Sequence, residues 1–156
     1  MRLRRTSSVP AIAAVAAPFG RDVPEALVRI EAIVARARAR GAELVVLPEA
    51  SIGGYLYEPR TATRRTPVGP PPALDPDGPE LAELARIAGP TVVCAGYTEA
   101  GPDGLLYASA VCVSGDGVLG RQRKVHLPPG ERAIYSAGEG FSAFDTPVGR
   151  IGMLVC

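Results

Sequence analysis

Apolar residues in the first part of the chain recur with the period of an amphipathic helix. Leu27, Ile30 and Val34 stand three and four residues apart, so they share one face of an α-helix. Asp22 precedes them as a residue type that caps helix N-termini, and Gly41 follows them as one that commonly ends helices. The pattern therefore predicts a helix between Asp22 and Gly41 that is buried on one side.

Continuous apolar runs on either side of this helix predict buried strands. The first run covers residues 11–16, and the second covers residues 44–47 and is bounded by Pro48. Runs of this length are too short for a helix and are typical of strands buried on both faces of a sheet. With the helix between them, the two strands predict a β-α-β unit.

The rest of the chain is predicted to continue the alternation and then to become antiparallel, as a mixed α/β fold. A proline-rich segment over residues 61–79 predicts a surface loop. A short helix around Leu84 and a buried strand over residues 91–96 are predicted next. Two hairpins follow, each with glycine in its turn. The first joins residues 105–113 to 118–123, and the second joins residues 141–146 to 150–155.

Length and composition favour a single globular domain with a small-molecule partner. The chain has 156 residues, of which 47% are hydrophobic and 21% are charged, which is enough for one domain with a core. Its 17 Lys and Arg residues nearly balance its 16 Asp and Glu residues, and the net charge is +1. No overall field would attract nucleic acid, so we expect no nucleic-acid partner.

The cysteines and the histidine argue against a disulfide framework and a metal site. Cys94, Cys112 and Cys156 are odd in number and far apart, and they show no CxxC spacing. His126 is the only histidine, and no cluster of other potential ligands surrounds it in the sequence. We therefore predict no metal, and this use of cysteine suits a reducing cytosol.

The N-terminus allows two interpretations. Residues 1–5 are basic and residues 11–17 are apolar, as in a short signal peptide, and Arg4-Arg5 resembles a twin-arginine leader. Because an apolar signal region usually runs longer, we favour a disordered basic leader over residues 1–10 and a domain over residues 11–156. No stretch approaches the roughly 20 apolar residues of a membrane span, and from the use of cysteine we expect a cytoplasmic protein.

Reactive side chains stand at the ends of three predicted strands, at Glu49, Lys124 and Cys156. A strand end can hold a side chain rigidly at the edge of a sheet. Each residue alone has an ordinary explanation. Glu49 suits the start of a helix, Lys124 suits a solvated strand end, and Cys156 suits a small buried hydrophobe.

Each of the three residues also lies in a longer characteristic block. Residues 44–49 lead to Glu49 and are followed by Gly54-Tyr55, residues 120–127 contain Lys124, and residues 146–156 end on Cys156. Together, in this order and at these intervals, the blocks resemble the catalytic motifs of the nitrilase superfamily of carbon–nitrogen hydrolases. The resemblance runs from residue 11 to the last residue.

The resemblance implies a fold and an activity. The expected fold is α/β, the N-terminal half of a nitrilase-like α-β-β-α sandwich, with a mixed sheet and helices on one face. The expected protein is a homo-oligomeric thiol hydrolase without a cofactor. It would cleave a non-peptide C–N bond of a small amide, N-carbamoyl compound or nitrile. Cys156 would be the nucleophile that forms a thioester, Glu49 the general base and acid, and Lys124 the group that stabilises the developing negative charge.

Neighbouring residues have less specific assignments. Glu131 matches a further family carboxylate that orients the lysine and the substrate, but a surface glutamate beside Arg132 is nearly as good an explanation. Tyr55 would line the pocket or, alternatively, cover the core. His126 is predicted to be a structural side chain next to Lys124.

The chain departs from the family pattern in two segments, which bear on the shape of the pocket and not on the class of enzyme. It reads Ala-Ser-Ala over residues 108–110 where the family often has Asn-Ser-Ala, and residues 57–80 form a short, proline-rich segment. The second half of the sandwich lies beyond the sequence, so we expect the chain by itself to be inactive. The same absence supports a rival hypothesis, in which the chain is a truncated, non-catalytic remnant or assembly partner. A nucleotide-binding protein is disfavoured, because the turn at residues 18–21 lacks a glycine-rich phosphate cradle.

Overall fold

The structure, a computed structural model, describes residues 9–56 and 69–156. Most of the predicted basic leader lies outside these residues. The elements in chain order are β1 (Ile12–Ala14), α1 (Val23–Arg38), β2 (Leu44–Val46), β3 (Ala73–Leu74), α2 (Pro79–Ala88), β4 (Val92–Ala100), β5 (Leu106–Ser114), β6 (Gly117–Arg123), β7 (Ala143–Thr146) and β8 (Gly149–Gly152).

One mixed sheet organises the described chain. Its strands run in the order β1-β2-β4-β5-β6, with parallel pairing from β1 to β4 and antiparallel pairing from β4 to β6. The short β3 also pairs with β4, in parallel. β7 and β8 form a separate two-stranded hairpin. The predicted mixed α/β fold, with its β-α-β unit, is confirmed.

The two faces of the sheet pack against different elements. Side chains alternate along a strand, so Val93 and Tyr97 of β4 point to one face while Val92 and Cys94 point to the other. The first face packs against α1 and α2 in the larger core cluster. The second face, called the inner face below, packs against the β7–β8 hairpin and Met153. Both helices therefore lie on one face, as predicted.

Helix α1 begins and ends where the sequence indicates. The Asp22 side chain accepts a hydrogen bond of 2.8 Å from the Glu25 backbone N–H, which satisfies one otherwise unpaired donor of the first turn. The helix ends at Arg38, and Gly41 then turns the chain with a φ of 85°. Neither of the helices in the described ranges has the length and apolarity that crossing a membrane requires.

Removing the cap of α1 should lower the stability of the fold. We expect Asp22→Ala to reduce the free energy of unfolding by about 1 kcal/mol, because the Glu25 N–H loses its acceptor. Urea denaturation followed by circular dichroism measures the change. Asp145→Ala is the matched control, since its side chain is 83% exposed and its pair with Arg150 is a surface one. Equal midpoints for the two variants would contradict the role of Asp22.

Several strand boundaries differ from the prediction, and the end of the last strand bears directly on Cys156. The last strand was expected over residues 150–155, but β8 ends at Gly152. Gly152 pairs with Ala143, the first residue of β7, so β7 has no further residue to hydrogen-bond with the chain beyond this point. Cys156 therefore stands four residues after the strand and not at its end.

The observed structure also differs from the proline-rich loop predicted over residues 61–79. Its first part, residues 61–68, lies outside the described residues. In the remainder, Ala73–Leu74 forms β3 and Pro79 opens α2. Proline suits this helix position because its missing N–H would have no partner in the first turn. The loop is therefore interrupted by a short edge strand and ends one residue earlier.

Candidate active site

Glu49 lies on a short arch, residues 47–52, that crosses from β2 over the edge of β4. The arch is attached to β4 at both ends. The Leu47 N–H donates to the Cys94 carbonyl oxygen at 2.9 Å, and the Ile52 N–H donates to the Gly96 carbonyl oxygen at 3.0 Å. Between these points the arch passes so close to Gly96 that a Cβ there would lie 1.3 Å from the Glu49 carbonyl oxygen. Only glycine allows this approach.

Lys124 is held by the backbone on both sides of the residue. Its N–H donates to the Ala108 carbonyl oxygen at 2.8 Å, and its carbonyl oxygen accepts from the Gly138 N–H at 2.8 Å. The Lys124 side chain is only 2% exposed. The explanation of Lys124 as a solvated strand end is therefore wrong, and burial requires that its ammonium be paired.

Two carboxylates supply that pairing. The Lys124 Nζ donates to Glu49 Oε1 at 3.0 Å and to Glu131 Oε1 at 3.1 Å, and Glu131 Oε2 lies 2.9 Å from the same nitrogen. Glu131 is brought there by a turn in which its N–H bonds to the Pro128 carbonyl oxygen at 2.9 Å. Glu131 thus contacts Lys124, as the family motif implies, and is not a free surface residue beside Arg132.

The electrostatics keep Lys124 charged. Burial by itself lowers the pKa of the ammonium, but hydrogen bonds to Glu131 and Glu49, together with the charges of these carboxylates, outweigh it and raise the pKa above its ordinary value. Lys124 is therefore an ammonium at neutral pH, and it faces two carboxylates. Such a cluster holds a positive charge in a fixed position next to Glu49.

Cys156 and Glu49 line the same cavity. The cavity has a volume of about 560 Å³ and lies between residues 151–156 and the inner face of the sheet. Apart from Glu49 its wall is mostly aliphatic or sulfur-containing, and includes Leu44, Val46, Leu47, Cys94, Ile151, Met153 and Val155. The structure thus joins Glu49, Lys124 and Glu131 by direct contacts, and relates Cys156 to Glu49 through a shared cavity.

Tyr55 lies beside this group, although it is not one of the residues that line the cavity. Its side chain is exposed to 46%. Partial burial raises the pKa of the Tyr55 hydroxyl, and electrostatic interactions with Glu49 and Cys156 act in the same direction, against a hydrogen bond from the Ala50 backbone. Tyr55 is therefore close to both residues, and it is too exposed to serve mainly as a cover for the core.

Sequence reasoning missed several residues around the site. The Tyr135 hydroxyl lies 2.8 Å from Thr98 Oγ1, and burial raises its pKa, with the Glu131 carboxylate contributing in the same direction. Ser51 is fully buried in the arch, and its hydroxyl accepts from the Gly96 N–H at 3.3 Å. Of these residues, only Tyr135 could have been found from the sequence, because it stands four residues after Glu131.

The sequence also contained an unused signal for Lys124. Lys124 is the only lysine in the chain, and every other basic residue except His126 is arginine. A guanidinium is larger and planar, so Arg cannot replace the compact ammonium between two carboxylates without a change of geometry.

The His126 ring stands 6.0 Å from that of Phe141. Within the described ranges, no three His, Cys, Asp or Glu side chains group as metal ligands.

Thiol alkylation should distinguish the three cysteines. Cys156 is exposed, whereas Cys94 and Cys112 are buried in β4 and β5. We expect iodoacetamide to label Cys156 first, because the reagent must reach the sulfur. Peptide mass spectrometry over a time course measures the order, and unfolding in urea should bring the three rates together. Equal rates in the folded protein would contradict this placement of Cys156.

Comparison with known proteins agrees with this picture. The sequence model of the family described as "Carbon-nitrogen hydrolase" matches residues 11–156. A bifunctional nitrilase/nitrile hydratase, NIT4A, from Nicotiana tabacum is 36% identical over 97% of the chain and 47% of its own length. A nitrilase from Pyrococcus abyssi is 34% identical over 82% of the chain and 48% of its own length. The chain spans about half the length of the curated relatives it matches.

Solved structures show the same fold at lower identity. A carbon–nitrogen hydrolase from Helicobacter pylori superposes with a TM-score of 0.71 at 21% identity, over 93% of the chain and 50% of that protein. An amidase from Nesterenkonia sp. superposes with a TM-score of 0.69 at 21% identity, over 95% of the chain and 56% of that protein. The fold is therefore that of about half of each of these chains. On the match over residues 11–156, this chain belongs to the carbon–nitrogen hydrolase family, the nitrilase superfamily.

Proposed function

We propose that Glu49, Lys124 and Cys156 form the catalytic triad of a thiol hydrolase. The enzyme would cleave a non-peptide C–N bond in a small amide, N-carbamoyl compound or nitrile, without a cofactor. The observation that carries this proposal is the buried Lys124 ammonium held 3.0 Å from the Glu49 carboxylate, because Glu49 lines the cavity that Cys156 also lines. Relatives named as nitrilases support the substrate class.

In the proposed reaction on an amide, the Cys156 sulfur forms a bond to the carbonyl carbon and the C–N bond breaks. Glu49 accepts the thiol proton and passes it to the departing ammonia or amine. Its hydrogen bond to Lys124 uses Oε1, so Oε2 is the oxygen assigned to the proton. Water activated by the same carboxylate then hydrolyses the thioester and regenerates the thiol.

Lys124 would stabilise the negative charge that develops on the substrate oxygen or nitrogen. A cation that is already in position needs no rearrangement during the reaction, and its effect is larger in a site with little water. Glu131 would hold Lys124 from its other side and leave Glu49 free to exchange its proton. In this arrangement both carboxylates bind the same ammonium, but Glu131 positions it whereas Glu49 exchanges a proton.

Ammonia release tests the proposed activity. We would compare the chain alone with a chimera in which it is continued by the C-terminal half of the tobacco relative, on a panel of small amides, N-carbamoyl compounds and nitriles. We expect the chimera to release ammonia and the chain alone to release none. A chimera that folds and binds a panel member, but neither releases ammonia nor forms a thioester on Cys156, would refute the proposal.

Lys124→Met should lower the turnover of the active chimera roughly 10²- to 10³-fold, a loss of about 3–4 kcal/mol in transition-state stabilisation. Methionine keeps the length of the side chain but removes the charge. Arg121→Met is the matched control. It removes a cation from β6, the strand that leads to Lys124, and this cation pairs instead with the exposed Asp77. Similar rates for both variants would remove Lys124 from the mechanism.

The proposal extends to assembly and location. We propose a homo-oligomer in the cytoplasm that acts on small molecules, with a domain over residues 11–156. A non-catalytic assembly partner is the second candidate. Analytical ultracentrifugation of the chain with and without the separately expressed half of the tobacco relative distinguishes them. A stable, inactive pair would favour the second candidate.

A further inference from the structure

Cys94 and Cys112 face each other across two strands of the sheet. They are register partners in the antiparallel pair β4–β5. The backbone of Cys94 hydrogen-bonds in the opposite direction, because its carbonyl oxygen accepts from the Leu47 N–H, on the β2 side. Cys94 and Cys112 are therefore a non-hydrogen-bonded pair, the type in which opposite Cα atoms approach to about 4.5 Å. That separation is within the range of about 4.4–6.8 Å that a disulfide spans.

The two thiols, on paired residues, affect each other's pKa in opposite directions. A hydrogen bond from the Cys112 thiol lowers the pKa of Cys94, and the same bond and burial raise the pKa of Cys112. Cys94 is therefore the sulfur that becomes a thiolate first. Both side chains lie on the inner face, among Leu44, Val92 and Met153.

The pair is not fully closed off. Cys94 is 8% exposed and lines the cavity next to residues 151–156, whereas Cys112 has no exposure. A small neutral molecule can enter a cavity of about 560 Å³ that Cys94 lines, and Cys112 lies beside Cys94 on the neighbouring strand. This is the arrangement of an attacking thiol and a resolving thiol.

We propose that Cys94 and Cys112 form a modification site, a dithiol that hydrogen peroxide converts reversibly into a disulfide between β4 and β5. The Cys94 thiolate attacks one peroxide oxygen, the O–O bond breaks, and the departing hydroxide takes a proton to become water. Cys94 is then a sulfenic acid. The Cys112 sulfur attacks the Cys94 sulfur, the S–S bond forms, and a second water leaves. Two thiols are oxidised by two electrons, and one peroxide is reduced to two waters.

Oxidation at this site would act on the strand that supports the arch. Cys94 and Gly96 of β4 hold the two ends of residues 47–52, which carry Glu49. A covalent bond between β4 and β5 would limit the separation of these strands and raise the melting temperature of the oxidised protein. The disulfide would form within the chain itself, whether or not the chain has hydrolase activity.

Mass spectrometry of a Cys156→Ser variant tests the proposal, because only Cys94 and Cys112 remain. After exposure of the folded protein to hydrogen peroxide, we expect a monomer that has lost two hydrogen atoms, a digest in which the two cysteine peptides are joined, and recovery of both thiols with dithiothreitol. The melting temperature should rise on oxidation and fall again on reduction.

The matched control adds Cys112→Ala to the Cys156→Ser variant. It should stop at a dimedone-reactive sulfenic acid on Cys94, without the loss of two hydrogens. If this control does not fold, Cys94→Ala in the same background replaces it, and that variant should resist peroxide because its remaining thiol has no exposure. Retention of both free thiols, or formation only of intermolecular dimers, by folded Cys156→Ser protein would overturn the proposal.

Discussion

Cys156→Ala is expected to abolish ammonia release by the chimera, with a loss of about 10³-fold or more, because no other group in the proposed site can form the thioester. Folding should be nearly unchanged, since Cys156 is exposed and its sulfur contributes little buried surface. Steady-state rates and urea denaturation of the same preparations measure both effects. A large loss of rate with an unchanged denaturation midpoint is the expected combination.

Cys112→Ala is the matched control for this experiment. The chemical change is the same, but Cys112 has no exposure, so the variant should lose about 1 kcal/mol of stability or more and keep its turnover. The two substitutions thus separate a chemical role from a packing role. Ammonia release that survives in Cys156→Ala would exclude this cysteine as the nucleophile and leave the family assignment intact.

Gly96→Ala is expected to have the largest effect on the fold around the site. The new Cβ would lie 1.3 Å from the Glu49 carbonyl oxygen and 2.3 Å from its carbonyl carbon, so one backbone must move away from the other. Moving the arch breaks the Ile52–Gly96 hydrogen bond and displaces Glu49 from Lys124. We expect a loss of about 3 kcal/mol or more, in the range of severe overpacking, together with loss of turnover.

Gly140→Ala is the control for Gly96→Ala. A Cβ at Gly140 meets no atom within 4 Å, and its backbone is outside the left-handed region, so the substitution should be close to neutral. Urea midpoints and the chemical shift of the single lysine, labelled with ¹⁵N, report stability and the environment of Lys124. Equal midpoints for the two variants, with an unchanged lysine signal, would show that the arch does not pack on β4 as described.

Local regularities explain why the sequence predicts most of the elements correctly. The three- and four-residue spacing of Leu27, Ile30 and Val34 and the cap at Asp22 depend on neighbours within a turn or two, and α1 forms where they predict. The end of β8 depends on where its partner strand β7 begins, because Gly152 pairs with the first residue of β7. No pattern within residues 150–155 could therefore predict it. The prediction of a loop over the proline-rich segment missed β3 for the same reason, because β3 is defined by its pairing with β4.

The sequence by itself determined the family and identified Glu49, Lys124 and Cys156 as candidate site residues, since their blocks are contiguous and their order can be read directly. The catalytic roles of these residues stay predictions. Only the tertiary structure decided that Lys124 is buried between Glu49 and Glu131, because that contact joins residues 75 and 7 positions apart along the chain. The approach of Gly96 to the arch and the opposition of Cys94 and Cys112 are likewise products of strand pairing. Composition and spacing report which groups are present, whereas the register of the sheet decides which of them meet.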